Sequence, residues 1–248
     1  MPRDTRLLMG MPITVEIVEA VPDAVLDSAY RYFDSVDRRF STYKDDSEIS
    51  AINRGEIGPR DYSPDMLQVF AIAEQTRIDS DGYFSIVRPD GKRDPSGIVK
   101  GWAIRNTARL IAVQGAKNFY VEAGGDIQTA GQNAEGSAWI AGIRNPFNET
   151  EIVKAVKIEG RGIATSGSYV RGAHIYDPHR PGATLTDIVS LSVIGRDVLE
   201  ADRFATAAFA MGREGIHFLQ GLPGIEAYMI DKTGTATMTT GFKAYVTQ

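Results

Sequence analysis

A chain of 248 residues, 43% apolar and 24% charged, is long enough to bury one large core or two closely joined ones. Its net charge of −5, with no basic stretch, argues against a surface that tracks nucleic-acid phosphates, and the absence of cysteine excludes disulfides, thiolate metal sites and a cysteine nucleophile. The opening residues, MPRDTRLLMGMPITVEIVEA, hold no apolar run of signal-peptide length and are broken by Glu16 and Glu19; nowhere is there an apolar stretch long enough to span a bilayer, so a cytoplasmic protein is the expectation.

In chain order, residues 11–20 alternate as a first strand. Pro22 opens a helix running to about Phe40, with Leu26, Ala29, Phe33, Val36 and Phe40 at three- and four-residue steps. Residues 41–55 are polar and read as a loop with one short helical turn. Ser63-Pro64 supplies a cap and a first-turn proline for a helix that stops near Gly82. Residues 81–97 are rich in glycine and proline and read as a loop or hairpin. A helix follows through IVKGWAIRNTARLIAVQG, with Gly115 beyond its end. Strands are then predicted at 118–124, 138–146, 151–160, 161–167, 173–178 and 187–195. A helix over 198–211, a short one over 214–220 and a hairpin around Lys232-Thr233-Gly234 close the chain. Clustered rather than alternating elements predict an α+β fold with mixed or antiparallel sheets flanked by helices.

Four clusters carry candidate chemistry. DPSGIVKGWA (94–103) places a glycine and Lys100 at a helix start, where free N–H groups favour an anion. VEAGGDIQTAG (121–131) carries Asp126 just after paired glycines that permit close approach of a backbone or ligand. IATSGSYVRGAHIYDPHRPG (163–182) offers Ser166-Gly167 at a strand end and His174, a side chain suited to proton transfer near neutral pH; His179 and His217 read as surface groups. In ADRFATAAFAM (201–211), Asp202 and Thr206 share one helix face and provide two oxygen ligands of the kind hard cations take. Taken singly, each has an ordinary structural reading: a solvated lysine, a tight turn, a hydrogen-bonding histidine, an aspartate paired with arginine beside a back-bonded threonine.

Taken together and in order, MGM (9–11), FSTYKDDSEISAIN (40–53), DGYF (81–84), DPSGIVKGWA, EAGGDI, ATSGSY, HIYDP and ADRFATAAFAMG resemble the ApbE family of flavin transferases, the FAD:protein FMN transferases. The resemblance runs over nearly the whole chain and implies a single domain over 1–248, with FAD held in a cleft between two intimate halves. It implies use of FAD and Mg²⁺, transfer of the FMN half to a threonine or serine hydroxyl of an acceptor flavoprotein, and release of AMP. By motif, Asp202, Thr206 and the backbone carbonyl of Gly97 resemble the metal ligands. Met9, Tyr43, Tyr83, Phe84, Ser85, Asp94, Lys100 and Ile175 match FAD contacts, Asp126, Ser166 and Gly167 match motifs around the same cleft, and His174 matches the proton-transferring histidine. Two positions depart from the pattern: Ser85 stands where the family carries an acid, and Arg105 where the lysine-glycine helix carries one. Two other readings share these residues: a metal-dependent FAD pyrophosphatase with water as nucleophile, and a flavin-binding module without turnover.

Overall fold

A computed structural model describes residues 2–167, 175–180 and 187–247, the side chain of residue 149 excepted. The described residues form ten strands: β1 (Arg3–Leu8), β2 (Met11–Ile17), β3 (Phe119–Ala123), β4 (Asp126–Ala130), β5 (Trp139–Asn145), β6 (Asn148–Ile158), β7 (Gly162–Gly167), β8 (Ile188–Gly195), β9 (Glu226–Asp231) and β10 (Ala236–Met238). Eight form one sheet in the order β1-β2-β3-β4-β7-β8-β9-β10, and β5–β6 make a separate ribbon. Every strand pairing within the described residues is antiparallel. The helices are α1 (Asp23–Phe40), α2 (Glu48–Asn53), α3 (Pro64–Asp79), α4 (Ser96–Val113), α5 (Val198–Ala210) and α6 (Gly215–Gln220). None is long and apolar enough to cross a membrane.

The periodicities decide which faces are buried. On β2, Ile13, Val15 and Ile17 are wholly buried. They meet Ala29, Phe33 and Val36 of α1 and Ile98, Trp102 and Ile111 of α4 in one cluster. The helix-side face of β8 and β9 packs on α5 and α6 through Leu191, Val193, Met229, Phe204 and Phe209. On the opposite face, Ile194, Tyr228 and Phe242 pack against Ala141, Ile143 and Val156 of the β5–β6 ribbon. The predicted cap of α3 is present, with Ser63 Oγ accepting the Met66 N–H at 3.2 Å, and α5 is capped by Asp197, whose Oδ1 accepts the Glu200 N–H at 2.9 Å.

Several expectations are corrected. β1 lies outside the predicted strands; RDTRLL has no strand-like alternation, but it pairs with β2 along its whole length. β4 lies outside the predicted strands; it is the second arm of a hairpin whose turn, Gly124-Gly125, takes φ of +59° and +94°, a conformation that glycine permits. The helix expected from Ile98 begins at Ser96. The strand predicted at 173–178 is not formed by its described part, residues 175–178, and 173–174 lie outside the described residues.

Candidate functional site

Two helices build the floor of the site by approaching unusually closely. A Cβ on Gly101 of α4 would lie 2.8 Å from Asp202 Cβ and 2.9 Å from the Cα of Leu199 on α5. One turn earlier, a Cβ on Gly97 would lie 3.0 Å from the Phe84 ring and 3.2 Å from Thr206 Cγ2. Glycines spaced four apart therefore form a flat face on α4 that lets Asp202 and Thr206 of α5 come against its first turn. On α5, Ala201, Ala205 and Ala208 are wholly buried in the cluster that the helix forms with β8, β9 and α6. The start of α5 is tied to the sheet, because Gln128 Oε1 on β4 accepts the Val198 N–H at 2.8 Å.

Above this floor opens a cavity of about 1760 Å³. Small-molecule sites occupy roughly 300–1,000 Å³, so an extended ligand fits here with room beside it. Most of the sequence-predicted residues line it. Met9 comes from the β1–β2 turn, Tyr43 from the loop before α2, Tyr83, Phe84 and Ser85 from the stretch after α3, and Asp94, Gly97 and Lys100 from the start of α4. Ser166 and Gly167 end β7, Ile175 follows it, and Asp202 and Thr206 complete the wall. Tyr43 is 97% exposed and stands at the rim. His174 lies outside the described residues.

Asp126 does not line the cavity. It is 1% exposed and lies beneath the floor, where its Oδ2 pairs with Lys100 Nζ at 2.6 Å and its Oδ1 accepts the Thr165 N–H at 3.1 Å. Burial pushes the Asp126 carboxyl up to about 7, against the pull of the Lys100 ammonium and with help from the negative charge of Asp202. Asp202, 3% exposed, accepts the Gly101 N–H on Oδ2 at 2.8 Å, and its Oδ1 lies 3.5 Å from Lys100 Nζ. In a regular helix the Gly101 N–H would serve the Gly97 carbonyl; here it donates to a carboxylate.

Other lining residues were not found in the sequence. Tyr176 donates its hydroxyl to the Val87 carbonyl at 2.8 Å, and burial raises its phenol against a hydrogen bond from Ser85. Tyr120 and Trp139 pack edge to face at 5.1 Å at the other end of the cavity. On β3 and β5 Tyr120 and Trp139 are single aromatics that local pattern does not separate from ordinary surface residues. His179 is exposed, as expected, but its ring meets the edge of Tyr83 at 4.5 Å and its Nε2 lies 2.9 Å from the Asp81 carbonyl. Arg105 points to a different groove, shared with Arg196 and Arg203, and takes no part in the cleft.

Among the described residues no cluster of three or more histidines, aspartates and glutamates could hold a metal ion. A cation at this floor would have one carboxylate, a hydroxyl and a backbone carbonyl from the protein. That donor set suits a hard ion that keeps water and phosphate oxygens in its remaining positions.

A model of the ApbE family matches residues 9–89 and 87–229. The FAD:protein FMN transferase of Escherichia coli strain K12 is 34% identical over 160 residues, 61% of this chain and 46% of that protein. The FAD:protein FMN transferase of Klebsiella pneumoniae strain 342 is 34% identical over 167 residues, 64% of this chain and 46% of that protein. The chain thus spans about half the length of the curated relatives it matches. Among solved structures, the flavin transferase ApbE from Vibrio cholerae superposes with a TM-score of 0.85 at 24% identity, covering 98% of each chain. The ApbE protein from Thermotoga maritima superposes with a TM-score of 0.86 at 19% identity, covering 100% of this chain and 99% of that one. At these identities the likeness is one of fold, and it agrees with the α+β architecture.

Proposed function

The chain belongs to the ApbE family, and from that premise we propose that it transfers the FMN half of FAD to a threonine or serine hydroxyl of an acceptor protein, releasing AMP, with Mg²⁺ held at Asp202, Thr206 and the Gly97 carbonyl. The observation that carries this reading is the placement of Asp202 and Thr206 side by side against the first turn of α4, on the floor of a cavity large enough for a dinucleotide. Both relatives cited above carry the name FAD:protein FMN transferase.

The residues present fit the ion. Asp202 Oδ2 is engaged by the Gly101 N–H, which fixes the carboxylate and leaves Oδ1 beside the Lys100 ammonium at 3.5 Å. The Gly97 carbonyl has a second lone pair even when a helical N–H uses the first. When bound, Mg²⁺ would neutralise charge on diphosphate oxygens as the anhydride bond breaks. The protein's own groups then account for the rest. Tyr83 and Phe84 form an aromatic wall suited to a flavin ring. The Lys100 ammonium offsets phosphate charge at the same floor. In the reaction, the acceptor oxygen forms a phosphoester bond to the flavin-side phosphorus, the phosphoanhydride bond breaks, and AMP leaves with the bonding pair. The hydroxyl proton passes to a base, the role that the family resemblance gives to His174.

The test is mass spectrometry of a candidate acceptor after incubation with this protein, FAD and Mg²⁺. An FMN-sized mass gain on a threonine or serine, abolished by EDTA, is the expected result. Rapid AMP release from FAD and Mg²⁺ without acceptor, and no adduct when acceptor is added, would replace transfer by hydrolysis. Tight FAD binding with no AMP under either condition would leave a binding module.

A further inference from the structure

Lys100 stands between two carboxylates, and the two distances are unequal. Its Nζ lies 2.6 Å from Asp126 Oδ2, a close ion pair, and 3.5 Å from Asp202 Oδ1, close enough to attract but a longer contact. All three side chains are largely withdrawn from solvent, at 14%, 1% and 4% exposure, so water screens the attraction poorly. Asp202 Oδ2 is engaged by the Gly101 N–H. The oxygen that faces Lys100 is therefore the one that remains for a cation.

We propose that Asp126 is a positioning residue for the cation site: it holds the Lys100 ammonium off Asp202, so that Asp202 Oδ1 stays available to a divalent ion. The inference rests on the assignment of Asp202 as a metal ligand made above. Asp126 is suited to act as a fixed post. It opens β4 directly after the Gly124-Gly125 turn, and its Oδ1 is held by the Thr165 N–H of β7 at 3.1 Å, so it is anchored on both sides by the sheet. Lysine is suited to be the moving part, with a compact charge on a flexible stem and three donors to distribute. With the Asp126 charge removed, the pull of the Asp202 carboxylate, 3.5 Å from the ammonium, is no longer opposed from the β4 side, and the ammonium shifts toward Asp202. The lysine then competes with the metal for the same oxygen. This assigns a function to a buried carboxylate that does not touch the cavity.

The test measures Mg²⁺ and Mn²⁺ affinity by calorimetry without FAD, in the native protein, in Asp126→Asn, and in Asp126→Asn combined with Lys100→Met. Asparagine keeps an oxygen for the Thr165 N–H, and thermal melts of each variant check that the fold survives. Asp126→Asn is expected to weaken metal binding at least about tenfold, which is 1.4 kcal/mol. Removing Lys100 in the double variant is expected to restore most of that affinity, a rescue that general damage to the site would not give. Unchanged affinity in Asp126→Asn, or no recovery in the double variant, overturns the inference while leaving the metal ligands intact. If the native protein binds neither ion, the assignment of Asp202 and Thr206 falls, and this inference falls with it.

Discussion

Helix α5 carries acids on two faces, and the two are treated differently. On the outer face, Glu200 takes the Arg196 N–H at 2.9 Å together with the Arg196 guanidinium, and Arg203 pairs with Asp79 at 2.9 Å and Thr76 Oγ1 at 3.2 Å. Those charges are saturated by near neighbours at the solvent boundary. On the cleft face, Asp202 is more deeply buried, yet it receives one backbone N–H and a lysine that is bonded more tightly elsewhere. A carboxylate buried with incomplete pairing costs stability. The contrast teaches that position in a helix pattern does not separate a structural acid from a functional one. What separates them is how much of the charge the fold itself satisfies.

The comparison is broken most directly at Asp202. Asp202→Asn preserves shape and keeps an acceptor for Gly101, but removes the charge. FAD-dependent AMP release should fall by about 10²–10³-fold, the scale of losing one preorganised electrostatic contact, while the melting temperature is maintained or raised. Chromatography of AMP and a thermal melt check both halves. Near-native AMP release in this variant would place Asp202 with Glu200 as a structural acid. Thr206→Val should weaken Mg²⁺ binding by about tenfold, with Thr206→Ser restoring it, as calorimetry would show.

A smaller effect is expected from the helix junction. Gly101→Ala places a methyl 2.8 Å from Asp202 Cβ and 2.9 Å from backbone of α5, contacts that cannot be met by rotating a side chain. The expected cost is roughly 1–3 kcal/mol of stability, read from denaturant unfolding, with weaker metal binding because Asp202 is displaced. The same substitution at Arg105, one turn further along α4 in a groove outside the cleft, adds no Cβ to the junction and should cost less and leave metal affinity unchanged.

Much of this was legible in the sequence because it depended on local pattern. The α1 stripe from Leu26 to Phe40, the Ser63-Pro64 start of α3 and the Asp202–Thr206 pair follow from periodicity and capping, and all are present where expected. Features set by distant partners were not legible. β1 is a strand because β2 offers it an edge, and β4 because β3 lies across a two-glycine turn. Asp126 shared a motif with cleft residues, but nothing in VEAGGDIQTAG indicates that its side chain turns beneath the floor to reach Lys100, 26 positions earlier in the chain. Tyr120, Trp139 and Tyr176 likewise become cavity walls only once the ribbon and the sheet are assembled.

The smallest effect belongs to the saturated face. The Arg196 side chain is 74% exposed, so its pair with Glu200 is screened and should contribute under about 1 kcal/mol. Burial raises the Glu200 carboxyl, but the hydrogen bonds from Arg196 outweigh it and hold the group below its ordinary value. A carboxylate lowered in this way stabilises the fold above its unfolded pKa, about 4.3, and that contribution is lost as pH falls through the folded value. Glu200→Gln should therefore melt slightly below the native protein at pH 7, and the gap should close on acidification below about pH 4. Metal affinity at neutral pH should be the same in both. A Glu200→Gln variant with impaired Mg²⁺ binding would mean that the two faces of α5 are energetically coupled, and that the division between satisfied and available acids does not hold along this helix.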